Sequence, residues 1–325
     1  MIQEFFRLDK RYYRMYTGYD KFVYILSIMN KEKTKDKFTF IDLFAGIGGF
    51  HIAFRNSGAK CVFVSEWNES ARKTYEANFR KIDPEIFENG HFVGDITKVD
   101  PKDIPDFDIL TGGFPCQPFS QAGFKKGFED TRGTLFFNIA QIIKEKKPKA
   151  FFLENVRHLL KHDNGKTFAM IRKTIEEDLG YSFHYKIVKA SDFNLPQHRP
   201  RLFMVGFRNK KIPFYFPDPV ELTKTISHIF DGNAEKKVGY TLRVGGRGSG
   251  INDRRNWDSY MVDGEVKRLT PKEGKRMMGF PNNYSFPVSD SQAMKQLGNA
   301  VAVPAIQAVA EAIINSLTNY YDKRK

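Results

Sequence analysis

Cys116 lies in Gly112-Gly113-Phe114-Pro115-Cys116-Gln117-Pro118-Phe119-Ser120, with prolines on both sides restricting the backbone around the thiol. Buried cysteines are usually inert, but they seldom occupy a Gly/Pro-rich loop after a strand, so this thiol reads as a nucleophile. Cys61, inside an apolar run, reads as an ordinary core residue. Glu154-Asn155-Val156 follows the apolar run Ala150-Phe151-Phe152-Leu153 and puts a carboxylate at the same edge as Cys116. Gln197-His198-Arg199-Pro200-Arg201 then precedes another apolar run and aims two guanidiniums at that edge, where arginine can grip a phosphate or carboxylate by paired hydrogen bonds. Any one of these groups could be a surface ion pair. That explanation does not account for thiol, carboxylate and paired arginines all falling at strand ends.

A second constellation suits a nucleotide-bearing cofactor. Phe44-Ala45-Gly46-Ile47-Gly48-Gly49 stands where a strand pattern becomes a helix pattern, so a ligand could approach the backbone and meet free N–H donors. Glu66 comes 20 residues after Gly46, the place of an acid that grips ribose hydroxyls. Trp67 is placed to cover a flat ring, and Asp95 adds a polar group at the next strand end. On the residues alone, these features fit NAD and S-adenosylmethionine equally.

The elements that must position these groups alternate. Strand runs at 38–44, 61–65, 107–111, 149–153, 184–189 and 201–207 are separated by helical patterns reaching Asn56, at 70–79, at 134–146 and at 165–179, which indicates an α/β fold with a mainly parallel sheet. After Phe207 the alternation stops. Residues 209–284 carry 14 Lys/Arg against 9 Asp/Glu, include Gly245-Gly246-Arg247-Gly248-Ser249-Gly250, and read as a smaller, loop-rich basic domain. A helix expected over 289–317 returns to the first domain. The division is therefore an extension at 1–37, a catalytic and cofactor-binding domain at 38–208, the small domain at 209–284, and a returning segment at 285–325.

Composition narrows the partners. The 325 residues carry 52 Lys/Arg and 38 Asp/Glu, a formal charge of +14, which favours a polyanion: nucleic acid first, an anionic membrane second. The longest apolar run, Phe22 to Met29, is too short to span a bilayer. Two cysteines permit no disulfide framework and no Cys-rich metal site, so the expectation is a reducing, cytoplasmic setting with no metal and no membrane.

Six runs together resemble the ordered motif set of the DNA (cytosine-5) methyltransferases, in particular the compact bacterial enzymes of restriction–modification systems. They are Phe44-Ala45-Gly46-Ile47-Gly48-Gly49, Gly113-Phe114-Pro115-Cys116-Gln117, Glu154-Asn155-Val156, Gln197-His198-Arg199-Pro200-Arg201, Arg268-Leu269-Thr270-Pro271-Lys272-Glu273 and Gln296-Leu297-Gly298-Asn299-Ala300-Val301. The resemblance covers about 38–325 and shows no departure at a catalytic position. It implies a Rossmann-like S-adenosylmethionine-dependent methyltransferase domain with a target-recognition domain, and S-adenosylhomocysteine as product. By similarity Cys116 adds to cytosine C6, Glu154 holds the N3/N4 edge, and Arg199 and Arg201 orient the base. The cofactor contacts implied are Phe44, Gly46, Gly48, Glu66, Trp67, Asp95, Leu135 and Asn299, although Asn299 can also be read as the cap of the last helix. The resemblance further implies that the cytosine is flipped from the duplex and that a basic, Gly-hinged loop at 119–134 closes over it.

For DNA contacts the candidates are Gln117, Ser120, Arg132, Thr241, Arg243, Arg247, Arg254 and Arg255. Thr241-Leu242 resembles the Thr-Leu pair of the recognition domains, and arginine reads guanine edges as readily as it binds phosphate. The expected partners are double-stranded DNA and a cognate restriction endonuclease acting separately, with the protein monomeric on DNA. Three rivals remain at this stage: an RNA (tRNA) cytosine-5 methyltransferase on the same scaffold, an NAD-dependent oxidoreductase, and a non-catalytic DNA-binding regulator.

Overall fold

The computed structural model describes residues 37–115 and 135–322. Cys116, Gln117, Ser120, Arg132 and the expected loop at 119–134 lie outside the described residues, as do residues 1–36.

The chain enters through β1 (Phe38–Leu43), whose Phe-rich sequence is buried on both faces, as a central parallel strand requires. The glycine turn leads into α1 (Gly49–Asn56), β2 (Ala59–Ser65), α2 (Glu69–Phe79), the short α3 (Pro84–Glu88) and β3 (Phe92–Val93). Then come β4 (Ile109–Gly113), α4 (Leu135–Lys146), β5 (Ala150–Val156), α5 (Lys166–Lys173), β6 (His184–Lys189) and β7 (Pro200–Phe207). One seven-stranded sheet results, in the order β3-β2-β1-β4-β5-β7-β6. All pairings are parallel except those of β7, which runs antiparallel between β5 and β6. Two apolar clusters, one on each face, make the sheet the middle of a three-layer sandwich.

The small domain contributes α6 (Ile226–Phe230) and the hairpin of β8 (Ser259–Val262) with β9 (Glu265–Arg268). Trp257 is fully buried there and donates its indole N–H to the Gly245 carbonyl at 3.0 Å, which pins the start of the glycine-rich loop. Near the start of the 209–284 stretch, Phe214 packs edge-on to His184 of β6 and close to Phe207 of β7. The chain then forms α7 (Pro271–Met278), α8 (Asp290–Asn299) and α9 (Val303–Asp322).

Several boundaries differ from the sequence expectation; β2, for one, begins at Ala59 rather than 61. β4 begins at Ile109 rather than 107, and β5 runs on to Val156, so Glu154 sits inside a strand and not after one. β7 begins at Pro200, one residue before the expected 201. The single returning helix is two, broken between Asn299 and Val303. This break corrects the reading of Asn299 as a cap for the last helix: Asn299 ends α8, and the first turn of α9 bonds to the Ala302 carbonyl instead. The combined α8–α9 stretch is long and apolar enough to cross a membrane, but Ile306, Val309, Ala310, Ile313 and Leu317 are buried in the core.

Candidate active site

The cofactor-side geometry begins with the turn after β1. Phe44 adopts a left-handed φ of 56°, unusual for a residue with a side chain. Ala45 then donates to the Ser65 carbonyl at 3.0 Å, tying the ends of β1 and β2 together. At Gly48, with φ 79°, an added Cβ would stand 2.3 Å from the Phe79 ring, so only glycine lets α1 close on α2. Gly46 is the opposite case: at φ 56° its missing Cβ faces open space. Beneath the turn, the buried His51 bonds the Tyr75 hydroxyl through one ring nitrogen and Asp83 through the other at 2.8 Å, locking α1 to α2.

Glu66 follows β2 and is buried. Its carboxylate accepts from the Gly46 N–H and from the Asn68 N–H, each at 2.7 Å. Burial raises its pKa, and the two backbone donors oppose that rise. Each oxygen keeps a lone pair for a further donor. Trp67 beside it is 78% exposed, an uncovered ring at a strand end. Asp95 caps the short turn Ile96–Lys98, accepting from the Thr97 hydroxyl at 2.8 Å and the Thr97 N–H at 3.0 Å, and those bonds hold its carboxyl below the usual range. Asp42, wholly buried in β1, keeps one carboxylate oxygen without a partner. Leu135 opens α4, and Asn299 is exposed at the end of α8. Open space over Gly46, a buried acid with spare lone pairs, an exposed indole and an orphaned buried oxygen fit a polar ligand carrying a ribose and a flat ring.

On the reaction side, the neighbouring strands do the positioning. Glu154 in β5 pairs with Gly113 of β4 and Phe203 of β7. Its carboxylate takes a 2.9 Å contact from the Nε of Arg201, and a Cβ on Gly113 would lie 3.5 Å from its other oxygen. Burial pushes the Glu154 pKa up, while the charges of Arg201 and Arg199 pull it down. Asn155 donates to the Phe114 carbonyl at 2.8 Å, which anchors the backbone two residues before Cys116. Val301 reaches in from the segment after α8: a Cβ on Gly49 would stand 2.6 Å from its side chain, and one on Gly113 3.9 Å from it. The glycines of two motifs therefore leave room for the valine of a third. Val301 and Asn155 were visible in the sequence only as members of motif runs, because what they do depends on which segments the fold brings beside them.

The two arginines of Gln197-His198-Arg199-Pro200-Arg201 do different work. Arg201 reaches Glu154. Arg199 is buried, and it donates to the carbonyls of Leu242 at 3.1 Å, Gly298 at 3.0 Å and Ala300 at 2.6 Å. Burial and the neighbouring Arg201 charge lower its pKa to about 9. Only its Nε is left without a partner. Arg199 thus clamps the small domain and the returning segment onto β7. Gln197 reinforces the clamp, donating to the Met277 carbonyl at 2.9 Å and accepting from the Leu242 N–H at 3.1 Å.

In the small domain the structure separates the candidate arginines. Arg247 turns inward to the buried Asp258 at 3.5 Å and to the Leu269 carbonyl at 2.7 Å. Arg255 pairs with Asp253 at 2.7 Å. Arg243 and Arg254 are exposed. The Thr241 hydroxyl donates to the His198 carbonyl, joining the small domain to the clamp.

Comparisons with known proteins agree with this geometry. A family model described as C-5 cytosine-specific DNA methylase matches residues 38–245 and 233–315. The Type II methyltransferase M.SsoII of Shigella sonnei is 45% identical over 86% of this chain and 81% of its own length. M.HpaII of Haemophilus parainfluenzae is 43% identical over 89% of this chain and 92% of its own. M.HhaI of Haemophilus parahaemolyticus is 40% identical over 88% and 97%. Among solved structures, the Dnmt2 methyltransferase of S. pombe superposes with a TM-score of 0.67 at 19% identity, covering 86% of this chain and 99% of that one, a likeness of fold.

Proposed function

The chain belongs to the C-5 cytosine-specific DNA methylase family, and from that membership we propose how its residues divide the work of methylating cytosine C5 in DNA. The observation that carries the reading is the Glu154 carboxylate, buried in β5, held by Arg201 at 2.9 Å and facing Gly113, three residues before Cys116.

S-Adenosylmethionine is the family's cofactor; when bound it supplies an electrophilic methyl group and leaves as S-adenosylhomocysteine. Glu66 would accept from its ribose hydroxyls, Trp67 and Phe44 would face its flat ring, and Gly46, Gly48, Asp95, Leu135 and Asn299 would complete the pocket. Cytosine C5 is a weak nucleophile. The Cys116 thiolate adds at C6, and Glu154 in its neutral form donates a proton to N3, which turns the ring into an enamine with electron density at C5. The raised pKa of Glu154 suits a carboxyl that must arrive protonated. Arg201 steadies Glu154 and the base, and Arg199 acts at one remove through the backbone it clamps. Once C5 has taken the cofactor's methyl group, loss of the C5 proton to solvent, departure of the Cys116 thiolate and return of the N3 proton to Glu154 would leave 5-methylcytosine.

The biological setting proposed is protection of DNA in a restriction–modification system of the cytoplasm, with a separate endonuclease and a monomer on the duplex. Residues 38–208 and 285–325 form the catalytic unit, 209–284 the target-recognition domain, and Gln117, Ser120, Arg132, Thr241, Arg243 and Arg254 the contacts to DNA. The test is transfer of labelled methyl from S-adenosylmethionine to unmethylated duplex DNA and, in parallel, to tRNA, with methylated cytosines located by sequencing. Label at one short DNA motif, lost in Cys116→Ala while DNA is still bound, is the expected result. Label in tRNA alone would overturn the substrate assignment, and turnover retained by Cys116→Ala would remove the nucleophile.

A further inference from the structure

The antiparallel insertion of β7 joins two charge runs that are far apart in the sequence. Lys144-Glu145-Lys146-Lys147-Pro148-Lys149 leads into β5, and Arg208-Asn209-Lys210-Lys211 leaves β7. Ala150 pairs with Phe207, and the Arg208 N–H donates to the Lys149 carbonyl at 3.0 Å, so the two runs lie side by side. They hold seven Lys/Arg and one Glu in ten residues. This edge is opposite the reacting one: Glu154 and Arg201 stand near the far ends of the same two strands, about 15–20 Å away at the usual rise per strand residue.

A cleft of about 430 Å³ opens at this edge, lined by Lys149, Arg208, Asn209, Lys210 and Tyr321. Two of its three cations, Arg208 and Lys210, are held in place by backbone carbonyls and not by a carboxylate. Arg208 donates to the Lys147 carbonyl at 3.1 Å, and Lys210 to the Glu176 carbonyl at 3.4 Å, so each keeps its charge and further donors. Lys149 pairs with Asp108 at 2.6 Å, and Lys146 lies 3.6 Å from Asp106. Carbonyl-braced cations beside a polar cleft are suited to phosphate oxygens. Each end of β5 and β7 would then address a polyanion, with chemistry at one end and charge alone at the other.

We propose that this rear cleft binds the backbone phosphates of a second segment of duplex DNA, without regard to sequence, while the catalytic edge holds the first. A protein holding two segments can pass between them without full release, which shortens the search for a target. The proposal goes beyond the assignment of the methylation site and does not depend on the recognition sequence.

The experiment saturates full-length protein with a short duplex carrying the methylation motif. A second, fluorescent duplex lacking the motif is then titrated, with wild type compared to Arg208→Gln/Lys210→Gln. The expected result is a second duplex per protein for wild type, with the slope of log affinity against log salt smaller by about 2 in the variant. Methyl transfer to the short duplex should be unchanged in both. Lys210→Gln/Lys211→Gln, altering exposed side chains only, serves if Arg208 proves needed for folding. A wild-type stoichiometry of one duplex, or equal second-duplex binding by wild type and variants, would overturn the proposal. So would retention by phosphatidylserine vesicles or inorganic phosphate, lost in the variants, with no second duplex bound. No methyl transfer by any form would instead count against the methylation reading.

Discussion

Two buried glutamates show how context divides one side-chain chemistry into two roles. Burial pushes both pKa values up. Glu66 meets two backbone N–H donors, which favour the acceptor form that a ribose hydroxyl needs. Glu154 meets a guanidinium on one side only, leaving its other oxygen toward Gly113 and the space where a base would lie. Glu154→Gln keeps the shape and removes the transferable proton. The expected outcome is a fall in kcat/KM of about 10²–10⁴-fold, the usual range for a lost general acid. Affinity for S-adenosylmethionine, measured by calorimetry, should be unchanged; a variant with near-normal turnover would return the proton donor's role to solvent or Arg201.

At the scale of elements, the geometry depends on segments fastened by buried polar groups. Arg199 holds three carbonyls from two other segments, and leaving them unpaired would cost on the order of 1–3 kcal/mol each. His184 on β6 lacks such satisfaction. It sits between Phe207 and Phe214 with its Nε2 buried and unpartnered, and burial lowers its pKa. The native state therefore favours the neutral ring. As pH falls below the unfolded value of about 6.5, the unfolded chain takes up the proton first, and stability drains away until the lowered native pKa is passed. Replacing His184 by Phe removes that loss while keeping an aromatic ring. The difference in Tm between H184F and wild type is expected to widen in favour of the variant between about pH 7 and pH 5. A constant difference would show that the ring is not held neutral.

Across the whole molecule, positive charge is distributed over both edges of one sheet and over the small domain. Within that domain, pairing separates arginines that composition cannot tell apart. Arg243→Ala and Arg254→Ala should each weaken duplex binding and reduce its salt slope by about 1, with Tm unchanged. Arg247→Ala should instead lower Tm, because the buried Asp258 loses one of its two guanidinium partners and keeps only Arg268 at 3.3 Å. Salt-dependent binding titrations and thermal melts on the same three variants decide it. Arg247→Ala with unchanged Tm and an altered methylation site would make that residue a reader of bases.

The alternation of strands and helices, the glycine turn at 44–49, the acid 20 residues beyond it and the motif order were legible in the chain, because local periodicity and turn chemistry are written in neighbouring residues. So was the placing of Glu154 and Arg201 at one edge, though not that Glu154 lies within a strand. The different fates of Arg199 and Arg201 were not legible. A single residue separates them, yet one clamps carbonyls 43 to 101 positions away while the other reaches Glu154. Nor could the chain alone show that Val301 fills the gaps at Gly49 and Gly113, that Arg247 turns to Asp258, or that two lysine runs share a cleft. The clamp, the place of Val301 and the shared cleft depend on the antiparallel strand β7 and on the return of α8 and α9, and the Arg247 contact on the folding of the small domain. Only tertiary packing decides those contacts.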